Sequence, residues 1–237
     1  FVASKGCELM VADYNQIELR CIAHLAQDPG LIAAFTSGQD VHSATAARVF
    51  GVEESAVTHE QRSKAKMVSY GLAYGMEAFG LGQRLGIRTD EAATILDAYF
   101  AAFPNVQSYM DDTVAQAKSR GYTETLFGRR RRIPELDSSN FRIRQAGERQ
   151  AMNAAIQGLA ADIFKIALIR IDQALSDSAL ASRLVLQVHD EVLVESPLNE
   201  VEVVDALVLQ IMEQATKLDV PLAVNSAWGS TWAEAKS

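Results

Sequence analysis

Leu9-Met-Val-Ala-Asp13-Tyr-Asn-Gln-Ile-Glu18-Leu-Arg20 and Leu184-Val-Leu-Gln-Val-His189-Asp190-Glu191-Val-Leu-Val-Glu195 are the two stretches whose reading decides the fold. Each is a run of apolar, strand-forming residues with carboxylates set where a strand would otherwise bury only apolar side chains. Charge is seldom placed there without a partner or a metal. If the two strands lie side by side, Asp13, Asp190 and Glu191 converge on an all-oxygen nest suited to Mg²⁺. Two such ions can activate an attacking oxygen and stabilise a leaving one in phosphoryl transfer. A competing reading gives these residues ordinary work, with Asp190 closing a β-turn and Asp13 ending a strand.

Working outward, the sequence predicts a strand at 7 to 14, a mainly helical middle and a hairpin near the end. The apex of that hairpin is expected to display Asp190 and Glu191. Thr58-x-x-Gln61 has the form of a capping box, so a helix is expected from 59 to 74. Thr89, Asp90 and Glu91 mark another start, and that helix should stop before Pro104. Residues 121 to 134 read as a turn-rich connection. From 144 to 176 the apolar residues recur at helical period with no Pro, which implies one long helix or two abutting ones. Residues 200 to 217 read as an amphipathic helix with Val203, Leu207, Ile211 and Met212 on its apolar side.

Composition bounds the function classes. The 237 residues are 49% apolar and 22% charged, an ordinary globular balance. No apolar run is long enough to cross a bilayer, and the first residues do not read as a secretory signal, so membrane and secretion readings are disfavoured. Cys7 and Cys21 lack CxxC spacing and have no nearby His at zinc-ligand spacing, so they read as reduced thiols. The net charge of −8 is unevenly placed: residues 129 to 149 hold seven Arg against Glu135, Asp137 and Glu148, and Arg62, Lys64 and Lys66 add three cations. Such asymmetry fits a local phosphate-binding surface on an acidic body, although an Arg run is also a common solvated face.

Two helical faces carry further chemistry. Arg62, Lys66 and Tyr70 recur at i, i+4, i+8 and fall within an arc of about 80°. Two cations followed by a flat ring suit the phosphates and the base of a nucleoside triphosphate. Gly71, Tyr74 and Gly75 follow, allowing close approach of a base or a backbone. Arg149, Asn153 and Gln157 repeat the spacing on the long helix, and their donors suit the acceptors shared by all pairs in the minor groove. For either face alone, packing and solvation are the favoured reading.

With these residues in hand, the chain resembles family A DNA polymerases. Asp13-Tyr-Asn-Gln-Ile-Glu-Leu-Arg20 is similar to the first family signature, which usually has Ser where Asn15 stands. Arg62-x-x-x-Lys66-x-x-x-Tyr70-Gly-x-x-Tyr74-Gly75 resembles the second and Gln187-Val-His-Asp-Glu-Val192 the third. The block from Asp40 to Phe50 and Gly128-Arg-Arg-Arg131 match as well, so the likeness runs from about residue 5 to the end. It implies an α/β fold of the α+β type, an antiparallel palm sheet with long helices and an inserted helical fingers subdomain. The expected division is palm at 1–24, fingers at 25–140 and palm again at 141–237.

The resemblance also implies roles. Asp13 and Asp190 would bind two Mg²⁺ ions, with the Tyr14 carbonyl as a backbone ligand and Glu191 as an auxiliary carboxylate. Arg62 and Lys66 would hold the dNTP triphosphate, Lys66 would protonate pyrophosphate, and His42 would contact the β-phosphate region. Tyr70 would stack on the incoming nucleotide, and Glu18 would close off the sugar 2′ position. Tyr74 and Gly75 would lie near the templating base, Arg149, Asn153 and Gln157 along the primer–template, and His189 close to the primer end. His24 and His59 match no functional position. The implied activity is template-directed DNA synthesis in replication and repair, in the bacterial cytoplasm at the nucleoid, with thumb and nuclease domains expected upstream in the intact protein. The rival classes are a non-catalytic DNA-binding fragment, which primer extension separates, and a nuclease or RNA polymerase, which Glu18 disfavours.

Overall fold

The computed structural model describes residues 1–236. In chain order it contains β1 (Cys7–Tyr14), α1 (Ile17–Ala26), α2 (Pro29–Thr36), α3 (Val41–Phe50), α4 (His59–Ala73), α5 (Ala78–Leu85), α6 (Thr89–Ala102), α7 (Pro104–Arg120), β2 (Tyr122–Glu124) and β3 (Arg130–Arg132). There follow α8 (Phe141–Asp177), β4 (Arg183–Val188), β5 (Glu191–Pro197), α9 (Val201–Glu213), β6 (Val224–Gly229) and α10 (Trp232–Ala235). The mixed helical and antiparallel class expected from the sequence is what forms. The chain divides into two units, one of Phe1–Ile17 with Ala160–Ser237 and the other of Glu18–Leu159.

In the first unit the sheet order is β4-β5-β1-β6, every pairing antiparallel. β1 is therefore interior to the sheet, and its Leu9, Met10, Val11 and Ala12 are buried on both faces, which explains a continuous apolar run instead of an alternating one. Val11 pairs with Leu193 and Asp13 with Glu191, so by the two-residue period these four share one face. Ala235 and Trp232 of the α10 segment pack there. On the opposite face Asp205 of α9 accepts from Ser226 Oγ and Trp228 Nε1, and the Tyr14 hydroxyl donates to the Met212 carbonyl at 2.7 Å.

Two expectations are corrected here. Glu191 does not sit at the hairpin apex: the turn is His189-Asp190 alone, and Glu191 is already the first paired residue of β5, opposite Val188. His189 takes the left-handed conformation, φ +56°, which lets a two-residue turn follow the strand twist. On α9 the buried side is Val204, Val208 and Met212, while Val203 is exposed. A stripe one residue round from the expected one faces the sheet, because the Asp205 bonds fix the helix rotation.

In the second unit the capping box forms as read, with Gln61 N–H on Thr58 Oγ1 and Thr58 N–H on Gln61 Oε1. α6 ends at Ala102, and Phe103, at φ −133° and ψ +67°, has left the helical region that a residue before Pro disfavours; α7 starts at Pro104. The stretch 121 to 134 is a short hairpin, β2 with β3, and not merely turns. The Arg run lies on it because Arg130 finds Glu124 across the ladder and lies over Tyr122. The long helix is single, 37 residues. Among the described residues no helix is long and apolar enough to cross a membrane, and both cysteines are free.

The capping box generates a direct test. Thr58 is exposed, so Thr58→Ala removes the cap without disturbing a core, and chemical denaturation should show a loss of about 1 kcal/mol. An unchanged midpoint would mean that α4 is held by its packing alone.

Candidate active site

The first unit carries a carboxylate pocket of about 460 Å³. Asp13 enters it from the end of β1, Asp190 from the β4–β5 turn and Glu191 from the start of β5, with Asn225 of β6 beside them. The Tyr14 N–H donates to the Asp190 carbonyl at 3.3 Å, tying the turn to β1. Burial pushes the Asp13 carboxyl above its ordinary range, and the charges of Asp190 and Glu191 push it further; Asn225 and Lys236 partly offset this. The three acids expected to converge therefore do feel one another.

They do not form a ready three-carboxylate cage. Glu191 is buried, and both its oxygens are engaged: Oε1 accepts from Trp232 Nε1 at 2.5 Å and Oε2 meets Lys236 Nζ at 2.6 Å. Among the described residues no three His, Cys, Asp or Glu side chains stand ready to hold a metal ion. The three acids do line one pocket as expected, but Glu191 enters it already satisfied by Trp232 and Lys236. Because the Tyr14 ring points to the opposite face and bonds Met212, only its backbone can serve the pocket. Trp232, Lys236 and Asn225 escaped the sequence reading. Their residue types give no periodic signal: strand register brings Asn225 opposite Asp13, and the α10 segment brings Trp232 and Lys236 to Glu191.

In the second unit α4 presents Arg62, Lys66 and Tyr70. Arg62 forms a two-point bond with Asp40, Nε to Oδ1 at 3.1 Å and Nη2 to Oδ2 at 2.7 Å. Asp40 also caps α3 by accepting from Ser43 N–H at 2.7 Å. The Arg62 bond, with the Ser43 amide, holds the Asp40 carboxyl down at about 2. Lys66 is exposed one turn further on. The half-buried Tyr70 ring lies 5.7 Å from the ring of His42, which is only 2% exposed and whose Nδ1 has no hydrogen-bond partner. His42, Arg62 and Tyr70 are thus brought together, as expected. Asp40 was quoted only as part of a motif, and its hold on Arg62 was not foreseen.

At the end of α4, Gly75 has φ +65°, and a Cβ there would meet Arg149 Cβ and Asn153 Oδ1, each at 3.2 Å. Asn153 Nδ2 donates to the Tyr74 carbonyl at 2.9 Å, while its Oδ1 is buried without a partner. Arg149 is ion-paired with Glu77 at 3.1 Å, and Gln145 donates to the same carboxylate at 2.9 Å. Glu77 was missed, for it lies in a connection with no pattern to read. Tyr74 is exposed, Gln157 half-buried a turn beyond Asn153, and Glu18 half-buried in the first turn of α1. His189 is exposed on its turn.

Comparison with known proteins follows the same lines. The family model described as DNA polymerase family A matches residues 1–234. DNA polymerase I of Mycobacterium tuberculosis is 54% identical over 233 residues, 98% of this chain and 26% of the relative. That of Pseudomonas aeruginosa is 50% identical over 235 residues, 99% of this chain and again 26% of the relative. The chain thus spans about a quarter of the length of these relatives. Among solved structures, the POL domain of Pol1 from M. smegmatis, in complex with DNA primer-template and dNTP, superposes with a TM-score of 0.95 at 51% identity, covering all of this chain and 42% of that one.

The burial of His42 can be tested by titration. Its imidazole is pushed from the ordinary 6.5 down to about 4 by burial, with Arg62 and Lys66 adding to the effect against Asp40. Its folded pKa lies below its unfolded one, so below about pH 6.5 the unfolded chain takes up a proton that the folded chain refuses until about pH 4. The residue's contribution to stability is therefore whole above 6.5 and is lost as pH falls toward 4. The His42 ring resonances should titrate with a midpoint near 4 in NMR, and a midpoint near 6.5 would contradict the buried placement.

Proposed function

Because the chain belongs to DNA polymerase family A, we propose that it carries out template-directed nucleotidyl transfer, joining a dNTP to a primer 3′-hydroxyl with release of pyrophosphate. The observation that carries this reading is that Asp13 and Asp190, far apart in sequence, line one pocket from adjacent segments of one sheet. The donor set fits Mg²⁺: both side chains offer hard oxygens, ionisation of Asp13 is penalised by burial and by the charges of Asp190 and Glu191, and a cation, the Lys236 ammonium, already stands in the pocket. Two Mg²⁺ ions, held by Asp13, Asp190 and the Tyr14 carbonyl, would supply the Lewis acidity that activates the 3′-hydroxyl and neutralises charge on the leaving phosphates.

The remaining work falls to the protein's own side chains. Arg62 and Lys66 bind the triphosphate, and Lys66 gives a proton to the departing pyrophosphate. Arg62 exchanges its Asp40 bond for phosphate oxygens. The exchange costs little, because a half-exposed ion pair contributes only about 0–1 kcal/mol. His42, neutral at physiological pH, offers a hydrogen bond and not a charge to the β-phosphate. Tyr70 stacks on the incoming base and sugar, and Glu18 fills the space of a 2′-hydroxyl. Tyr74 and Gly75 lie against the templating base, and His189 is near the primer end. Arg149, Asn153 and Gln157 address the minor-groove acceptors common to all correct pairs, which tests pair shape without reading sequence. In this reading residues 1–24 and 141–237 form the palm and 25–140 the fingers, acting on primer–template DNA in replication and repair at the bacterial nucleoid, in the cytoplasm.

Primer extension with Mg²⁺ tests the assignment. Asp13→Ala or Asp190→Ala should lose more than the ~10–100-fold that follows loss of an outer-shell metal partner, whereas Glu191→Ala should stay within that range. Activity within about tenfold of wild type in either Asp variant would sink the metal assignment, and DNA binding with no extension by the unaltered chain would favour a non-catalytic role.

Sugar selection supplies a separate check. Glu18→Ala should raise the relative use of rNTPs by about 10–200-fold, the range available to one small steric contact, with a much smaller loss on dNTPs. Equal losses on both substrates would make Glu18 structural.

A further inference from the structure

The carboxylate pocket already contains a cation of the chain's own. Lys236 Nζ lies 2.6 Å from Glu191 Oε2 and 5.2 Å from the centre of the Trp232 ring. Trp232 in turn holds the other Glu191 oxygen. Lys236 and Ala235 line the same pocket as Asp13 and Asp190, and the positive charge of Lys236 acts on Asp13 as well as on Glu191. The ammonium is thus fixed from two sides while its own side chain stays 56% exposed. Such a group can leave without opening a core.

We propose that Lys236 is a built-in counter-ion of the metal pocket, whose ammonium partly offsets the charge of the Asp13, Asp190 and Glu191 cluster until a divalent cation displaces it, and that this one side chain thereby tunes the pocket's divalent-cation affinity. The inference rests on the metal reading given above. Two physical consequences follow. Without metal, the repulsion among the three carboxylates is partly offset, since one cation stands among them. On metal binding, the favourable attraction between ion and carboxylates is reduced by the work of displacing the ammonium, and by repulsion from it if it remains close. Trp232 has a separate part. Its indole N–H keeps Glu191 oriented towards Lys236, so Glu191 acts by positioning the resident cation and not as a standing metal ligand.

Mn²⁺ binding, followed by the electron paramagnetic resonance signal of the free ion, reads this without any turnover. Lys236→Met should tighten Mn²⁺ binding by about tenfold, the order expected for removing one partly screened charge beside the ion. Lys236→Arg, which restores the charge, should return the affinity to within about twofold of wild type. An unchanged affinity in Lys236→Met would overturn the proposal, as would Lys236→Arg behaving like Lys236→Met, which would make the effect one of shape and not of charge. Asp13→Asn separates the two levels of the argument. If it abolishes Mn²⁺ binding in the wild-type and Lys236→Met backgrounds alike, the metal reading holds and the Lys236 result judges the counter-ion alone; if it leaves Mn²⁺ binding at the wild-type level, the metal reading itself falls.

Discussion

The pairing of β1 with β5 is the constraint on which the first unit depends. Its register sets Val11 against Leu193 and Asp13 against Glu191, so one face of one ladder carries both an apolar cluster and, at its end, the acidic pocket. A slip of one residue would turn Asp13 to the face occupied by Tyr14 and α9 and bring Ala12 into the pocket. The apolar pairs are what prevent the slip. Burial of Leu9 to Ala12 on both faces fixes the strand, and Asp13 is carried along to where burial raises the cost of its charge. Stability and chemistry meet in the same ladder.

A second regularity concerns charge. Arg62 is held by Asp40, Arg149 by Glu77 and Glu191 by Lys236. In the proposed reading each arginine serves a phosphate or a nucleic acid strand and Glu191 borders the metal pocket, and each is paired with an opposite charge from the chain. For the two arginines both partners are substantially exposed, 37% and 41% in one pair and 37% and 55% in the other. Pairs of that kind orient a side chain without holding it strongly. The pair at Glu191 differs, since the carboxylate is only 8% exposed and losing its partner would leave a buried charge, which is far costlier. The arginines are poised for exchange. Glu191 is anchored.

Legibility in the sequence divides along the same lines. The capping box at Thr58 and Gln61, the strand at residues 7 to 14, the stop before Pro104 and the long helix were readable because each is dictated by neighbours within a few residues. The α9 face was read one position off, because helical period alone does not fix rotation when Val203, Val204, Leu207 and Val208 are all apolar; the Asp205 bonds to Ser226 and Trp228 decide it. The stretch 121 to 134 was read as turns because its strands are three residues long and one is all Arg. Cross-strand pairing of Arg130 with Glu124 supplies there what β-propensity does not.

By itself the sequence determined most of the elements, the fold class and which acids and cations are candidates for the chemistry, because helix starts, strand runs and signature spacings are local and survive in one dimension. Only the tertiary structure decided their partners. That Glu191 leaves the apex for the ladder, that Trp232 and Lys236 come back to hold it, that Asp40 takes Arg62 and Glu77 takes Arg149 are all contacts between residues from 22 to 72 positions apart or set by strand register. Electrostatic partnership depends on distance in space, to which separation along the chain is a poor guide.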